Sequence, residues 1–233
     1  MLPGVIIFAC ATGIEPKERI EPSTANISNV TPRHDSLSRL MDVHDGNILQ
    51  DAGMNKWYWY GMGYGNCSEQ RGWIPPRDCP GIYKPFGECG FRTDHAVNVY
   101  SSTDLASWTF EGDALPLRAR PLGIYFRPKV VFNSRTREYV LWVNYLAQTS
   151  TRLTPLAAYP NATYLVGVSK AGPAGPFSVV TPSANTTGSG GGDFTLLATD
   201  DGAAFIAHNA WSNSHRLGRI DGSWYGSKQR CPP

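Results

Sequence analysis

The stretch HDGNILQDAGMNKWYWYG at residues 44–61 contains a strand, a turn and a second strand in immediate succession. Residues 47–50 form a short apolar run, residues 51–55 carry the Asp, Gly and Asn typical of a turn, and residues 56–60 are largely aromatic. Short aromatic or β-branched runs bounded by Gly, Asn, Asp or Pro are typical of β-strands. No segment shows the sustained 3.6-residue apolar stripe that would indicate a helix. The pattern predicts an all-β chain.

The same strand–turn–strand unit recurs twice more, and each unit continues into a third strand with a polar or aromatic ending. The three units cover residues 47–108, 129–177 and 194–225. A spacing of about 65 to 80 residues suits four-stranded propeller blades with long insertions. An unrelated β-sandwich with coincidental turns is the alternative, but the ordered recurrence favours a β-propeller.

Composition limits the classes of partner that the chain is expected to have. The 233 residues carry a net charge of +2 with no block of like charges, so nothing points to nucleic acid or a membrane surface. No apolar run approaches the roughly 20 residues of a spanning helix. The aromatic content of 12% suits either packed sheets or surfaces that stack on sugars. We expect neither a nucleic-acid partner nor a membrane span.

Several features of the termini and loops favour an extracellular glycoprotein. The apolar residues 5–9 and the small-x-small triplet at residues 9–11 resemble a signal peptide, although the flank lacks Lys or Arg and a poorly ordered segment is the alternative. Three of the cysteines beyond Cys10 share one Gly/Pro-rich loop, which favours a loop disulfide over free thiols or metal ligation and leaves the pairing open. These cysteines, with a fourth near the C-terminus, are Cys67, Cys79, Cys89 and Cys231, and the Asn-x-Ser/Thr sequons begin at Asn26, Asn29, Asn66, Asn161 and Asn185.

The chain divides into three parts on composition. Residues 1–40 are Ser/Thr/Pro-rich and aperiodic after their apolar start, which predicts a signal peptide and a disordered segment. Residues 41–226 carry every strand-like run and predict a single partial propeller domain. Residues 227–233 are predicted to be a tail.

The motifs, taken in order, resemble the family 43 glycoside hydrolases, and specifically the galactan 1,3-β-galactosidase-like branch. The opening stretch is similar to the first blade of that family, and an Arg-Pro-Lys stretch is similar to the second. The resemblance implies a five-bladed β-propeller of four-stranded antiparallel blades, of which about three are present in this chain. The motifs that follow the opening stretch are Tyr100–Trp108, Arg127–Asn133 with Glu138–Trp142, Gly172–Phe177, and Gly192–Phe194 with Thr199–Gly202.

The resemblance implies hydrolysis of O-glycosidic bonds in polysaccharide side chains, with inversion. Family members use a general base Asp on the first blade, a pKa-tuning Asp on the third and a general acid Glu on the fourth. Inverting hydrolysis needs two carboxyl groups about 6.5–9.5 Å apart, so that a water fits on the far face of the sugar. Asp45 falls at the base position and Asp193 at the tuning position. The alternatives are an Asx turn at Asp45 and a loop carboxylate in a flexible segment at Asp193.

Other polar residues are predicted to contact the substrate. His44 matches a histidine of the galactanase-like branch. Arg127 and Lys129 are candidates for binding sugar hydroxyls, with structural ion pairing as the alternative. Asp94 and His95 are candidates for the mouth of the funnel, and an Asp–His hydrogen bond that holds the loop is the alternative.

Two departures from the family pattern weaken the prediction of an enzyme. Phe126 stands where the galactanase-like branch has an acid Glu, and a phenylalanine cannot donate a proton. No counterpart of the fourth-blade Glu is present, so we expect a propeller truncated after the third blade, active only with its missing blades. The alternative is a non-catalytic carbohydrate-binding propeller. No cofactor is expected, because the structural Ca²⁺ of full-length family members belongs with a fifth blade that has no counterpart here.

Overall fold

Three four-stranded antiparallel β-sheets make up the part of the chain that the structure describes, and in each sheet every strand pairs with its neighbour in sequence. The structure is a computed structural model. It describes residues 30–51, 53–63, 95–147, 162–184, 186, 191–199, 202–210, 214–220 and 227–230. Asp94, the asparagines of the five sequons and the cysteines named above lie outside these residues. The all-β prediction and the prediction of four-stranded antiparallel sheets are confirmed.

The first sheet grows from the predicted hairpin. The Asp51 carboxylate accepts the backbone N–H groups of Gly53 and Met54, which closes the turn, and Asn55 adopts a left-handed φ of 51°. A second polar turn leads into the last strand, where Asp104 accepts the N–H groups of Ala106 and Ser107. The strands are β1 (His44–Asp51), β2 (Lys56–Met62), β3 (Val97–Ser102) and β4 (Thr109–Asp113).

The second and third sheets repeat this plan. In the second sheet, Asn133 closes the first hairpin by accepting the N–H groups of Arg135 and Thr136. A short 3-10 helix, Leu117–Ala119, leads into this sheet. The strands of the second sheet are β5 (Gly123–Asn133), β6 (Glu138–Ala147), β7 (Thr163–Ser169) and β8 (Ser178–Thr181), and those of the third are β9 (Phe194–Ala198), β10 (Ala204–Ala210), β11 (Ser214–Ile220) and β12 (Ser227–Arg230).

The sheets pack face to face through two apolar layers. Tyr60 and Val99 of the first sheet are fully buried against Leu141 and Val143 of the second. Trp142 on the opposite face of β6 packs with residues of the third sheet. Fully burying one such side chain contributes about 1.5–3 kcal/mol. This packing brings the first strands of the sheets together, because β5 contacts both β1 and β9.

Both ends of the predicted domain differ from the prediction. Residues 227–230, which the composition placed in a tail, form β12 because they pair with β11 and complete the third sheet. Part of the segment predicted to be disordered lies on the first sheet: His34 bridges Leu40, and the N–H of Ser36 donates to the carbonyl of Trp108 at 2.7 Å. The guanidinium carbon of Arg33 lies 5.4 Å from the centre of the Trp59 ring. Backbone hydrogen bonds and this cation–π contact therefore extend the domain at its N-terminal end.

Among the described residues, no helix has the length and apolar character needed to cross a bilayer.

Candidate functional site

The first strands of the three sheets, β1, β5 and β9, are called the inner strands here. They bring four of the predicted site residues into one cluster. Nε of Arg127 lies 2.7 Å from Oδ1 of Asp193. Nζ of Lys129 lies 3.4 Å from the carbonyl oxygen of Asp45. Burial lowers the pKa of Lys129, the charge of Arg127 adds to that effect, and the charges of Asp45 and Asp193 oppose it. Two acidic and two basic side chains from β1, β5 and the start of β9 therefore share one electrostatic neighbourhood.

A β-bulge aims each of the first two inner strands into this cluster. In β1 the pairing with β2 shifts between His44 and Asn47, and in β5 the pairing with β6 shifts between Phe126 and Lys129. A bulge inserts extra residues into one strand and redirects its side chains, often beside active sites.

The first residue of each bulge has the same unusual backbone conformation. Asp45 has a φ of 55° and Arg127 a φ of 54°. A left-handed φ is uncommon outside glycine, and such residues cluster at functional sites. Asp45 and Arg127 thus occupy equivalent positions on neighbouring strands. The next residue of the first bulge must be glycine, because a Cβ on Gly46 would lie 1.4 Å from the carbonyl oxygen of Tyr60.

The bulge in β1 is fastened to β5 by side chains. Nδ2 of Asn47 donates to the carbonyl oxygen of Val130 at 3.0 Å, and the N–H of Val130 donates to Oδ1 of Asn47 at 2.9 Å. These two hydrogen bonds connect the first sheet to the second and satisfy both backbone polar groups of Val130. Nζ of Lys129 adds a donor to the carbonyl oxygen of Gly46 at 2.5 Å. Lys129 was predicted to bind substrate, and the structure also gives it this backbone contact.

Asn47 is a site residue that the sequence did not single out. The only local feature of the sequence that marks Asn47 is its amide at the start of an apolar strand. An amide carries both a donor and an acceptor, so it can pair with both polar groups of one backbone residue. Which residue it would pair with depends on how two sheets pack.

The Asp193 carboxylate faces solvent while its backbone is held. The side chain of Asp193 is 66% exposed and that of Arg127 is 29% exposed. An exposed ion pair contributes about 0–1 kcal/mol, so the pair adds little to the stability of the fold. The N–H of Asn209 in β10 donates to the carbonyl oxygen of Asp193 at 3.0 Å. The carboxylate is therefore available to a ligand.

Phe126 lies in an apolar cluster beside the site. Its ring is buried with Met62, Ile124 and Leu146, and the guanidinium carbon of Arg127 lies 5.9 Å from its centre. Phe126 therefore has no proton to donate, and its ring is part of the apolar packing beside the polar cluster.

The two predicted histidines have different environments. His44 is exposed at the rim, with Nε2 3.4 Å from Oδ1 of Asp42. His95 is only 1% exposed, and its Nε2 accepts the N–H of Tyr125 at 3.0 Å. The guanidinium of Arg120 donates to the carbonyl oxygen of His95. His95 was predicted to contact substrate at the mouth of the funnel; in the structure it is buried where the first sheet meets β5, and its ring nitrogen accepts a backbone N–H.

Across the described ranges, no group of three or more His, Cys, Asp or Glu side chains could hold a metal ion.

Comparison with known proteins identifies solved structures with the same fold. No protein-family model matches the sequence, and no curated protein does. An exo-β-1,3-galactanase from Phanerochaete chrysosporium, solved with β-1,3-galactotriose, superposes with a TM-score of 0.60 at 22% identity, over 86% of this chain and 40% of that one. An exo-β-1,3-galactanase from Clostridium thermocellum gives a TM-score of 0.64 at 20% identity, over 88% and 40%. A family 43 β-1,3-galactosidase solved with galactodeoxynojirimycin gives 0.64 at 21% identity, over 87% and 64%.

These likenesses confirm, at the level of the fold, the resemblance inferred from the sequence motifs. The chain has the fold of the family 43 galactanases and galactosidases. It spans 40% of the length of the two galactanases and 64% of that of the galactosidase.

Proposed function

We propose that the chain is part of a five-bladed family 43-like propeller that binds galactose-containing polysaccharide side chains and hydrolyses their O-glycosidic bonds. Its three sheets would be the first three blades. The observation that carries the proposal is the convergence of Asp45, Arg127, Lys129 and Asp193 from three inner strands. The shared fold supports it, since a solved neighbour binds β-1,3-galactotriose and another structure holds galactose.

Asp45 is the candidate general base. Its side chain is exposed on a bulge, and Nζ of Lys129 lies 3.4 Å from the Asp45 carbonyl oxygen. A carboxylate in this position can accept a proton from water while the water oxygen bonds to the anomeric carbon on the face opposite the leaving group. The glycosidic bond then breaks, and the leaving oxygen takes a proton from a general acid.

Asp193 and Arg127 are the candidate sugar ligands of the third and second sheets. A carboxylate accepts hydrogen bonds from sugar hydroxyls, and a guanidinium donates them in a fixed geometry. In the family-like mechanism Asp193 would also raise the pKa of the acid by charge repulsion. The acid itself is not within this cluster, because Phe126 fills the position of the branch's acid Glu.

The test is a set of titrations and hydrolysis assays with β-1,3-galactotriose. We expect the protein to bind it, and Arg127→Ala or Asp193→Ala to weaken binding about tenfold. Asp45→Asn should keep binding and abolish any release of galactose, since the amide cannot accept the proton. Asp104→Asn, a matched change in an exposed turn of the same sheet, should alter neither. Absence of binding by the unaltered protein would refute the proposal.

A non-catalytic carbohydrate-binding propeller is the second candidate, and one observation favours it. The apolar, buried Phe126 occupies the place where the galactanase-like branch carries an acid. Binding of β-1,3-galactotriose with no galactose released, and no effect of Asp45→Asn, would favour this reading over hydrolysis.

We also propose secretion and glycosylation, which rest on the predicted signal peptide and sequons. Mass measurement of the protein purified from its native source, before and after removal of N-linked glycans, tests both.

A further inference from the structure

Two buried side chains of the second sheet hold the polypeptide immediately before Asp193. Nδ2 of Asn144 donates to the carbonyl oxygens of Gly191 and Gly192, at 3.1 and 3.0 Å. The Tyr164 hydroxyl donates to the carbonyl oxygen of Gly192 at 3.0 Å and accepts its N–H at 3.1 Å. Both backbone polar groups of Gly192 and the carbonyl of Gly191 are therefore bound by side chains.

The two side chains are themselves firmly placed. Asn144 and Tyr164 are each 1% exposed. The Tyr164 ring packs edge-on against Phe194, with ring centres 4.9 Å apart, and against His208 at 5.8 Å. Groups locked by packing can hold a neighbouring segment in one geometry, which is what a functional constellation requires.

The glycines allow this close approach. A Cβ on Gly192 would lie 1.7 Å from Oδ1 of Asn209, and one on Gly191 would lie 2.9 Å from the carbonyl oxygen of Thr163. Glycine also brings conformational freedom, which would let the exposed Asp193 carboxylate take many positions. The exposed ion pair with Arg127 is too weak to restrict it alone. The hydrogen bonds from Asn144 and Tyr164 restrict the two residues before Asp193, and the N–H of Asn209 holds the Asp193 carbonyl oxygen.

The amide of Asn144 has a property that pure packing would not explain. Its Oδ1 is buried and has no hydrogen-bond partner among the described residues. A buried acceptor without a partner destabilises a fold, and an apolar side chain would avoid this cost. What Asn144 provides in return is its amide NH₂ group, which donates to the carbonyl oxygens of Gly191 and Gly192.

We propose that Asn144 and Tyr164 are positioning residues that set the Asp193 carboxylate against Arg127 in the candidate sugar site. The role of Asp193 in sugar binding rests on the proposed function. The placement of its carboxylate can be measured without any sugar.

The experiment follows the ¹H–¹⁵N NMR signal of the Arg127 Nε–H group, which donates to Asp193. Arg127→Lys assigns the signal, and Asp193→Asn gives its position when the ion pair is lost. In Tyr164→Phe and Asn144→Leu we expect the signal to move at least half of the way to that position. Tyr145→Phe is the matched control, because the Tyr145 hydroxyl donates to the carbonyl of Leu122 at 2.9 Å, away from Asp193. It should leave the signal unchanged.

Titration with β-1,3-galactotriose supplies the second readout. Both positioning variants should bind it about tenfold more weakly than the unaltered protein, and Tyr145→Phe should bind it equally well. An unchanged Arg127 signal in variants whose amide spectra remain dispersed would overturn the proposal. If Asn144→Leu fails to fold, Tyr164→Phe decides, because it keeps the buried ring. If the unaltered protein does not bind the trisaccharide but the Arg127 signal moves as expected, the positioning role stands and the proposed function fails.

Discussion

Replacing Asn47 should weaken the connection between the first two sheets. In the folded protein the Asn47 amide pairs with both backbone polar groups of Val130, at 3.0 and 2.9 Å. Val130 is fully buried, so Asn47→Ala leaves an N–H and a C=O with no protein partner. Leaving a buried backbone group unpaired costs about 1–3 kcal/mol.

The free energy of unfolding should fall by about 2–4 kcal/mol. This is the lower part of the summed cost of the two unpaired groups, because Asn47 is half-buried and water can reach part of the gap. For a domain of this size, 1 kcal/mol corresponds to a shift in Tm of roughly 2–4 °C. Asn47→Ala should therefore lower Tm by about 4–16 °C. Asn47→Asp should cost more at neutral pH, because a carboxylate oxygen then faces the Val130 carbonyl. Part of that loss should return on acidification, when the protonated carboxyl can donate.

Urea denaturation followed by tryptophan fluorescence and by circular dichroism gives the free energies of unfolding. Asn55→Gly is the control: Asn55 lies in the turn of the same hairpin, is exposed, and has a φ of 51° that glycine adopts without strain. It should stay within about 0.5 kcal/mol of the unaltered protein. If Asn47→Ala also stays within that range, the amide pair does not hold β1 to β5 and the reasoning fails.

Two further predictions concern the first sheet. Gly46→Ala should strongly destabilise the protein and abolish binding of β-1,3-galactotriose, because the added Cβ would lie 1.4 Å from the Tyr60 carbonyl oxygen. Gly53→Ala is the control, because the atom nearest to its added Cβ is 3.3 Å away. Equal melting temperatures of the two variants would contradict the argument. Hydrogen bonds from the N–H groups of Ser107 and Ala106 lower the pKa of Asp104 from 3.8 to about 2, so the stability that this carboxylate contributes is present above pH 3.8 and is lost as the pH falls through about 2. Urea midpoints measured across this acidic range should converge for Asp104→Asn and the unaltered protein, and a constant difference would contradict the lowered pKa.

Local sequence signals were enough to predict most of the strands and the turns of the first hairpins. Asp51 and Asn133 close the first hairpins of the first two sheets through their own side chains, so the information lies within a few residues. The aromatic residues 56–60 specify a strand in the same local way. The repetition of such units predicted three sheets with neighbouring strands paired, and the order of the motifs predicted the fold that the solved neighbours share.

Pairing between strands corrected the sequence prediction where local signals were weak. Residues 227–230 have no strand-like composition, and they are a strand because β11 offers an unpaired edge. The apparent surface residue His95 is buried because β5 packs over it and supplies the N–H of Tyr125.

The sequence by itself determined which residues could form the candidate site, and the tertiary structure decided their geometry. Asp45 and Asp193 were identifiable from the resemblance of the motifs to the family 43 pattern, and Arg127 from its place on an inner strand. The left-handed φ of Asp45 and Arg127 could not be identified from the sequence, since nothing in either residue type requires it. Only pairing with β2 and β6 produces the bulges. A hydrogen bond across 83 residues, such as that between Asn47 and Val130, forms only when two separately specified sheets pack together.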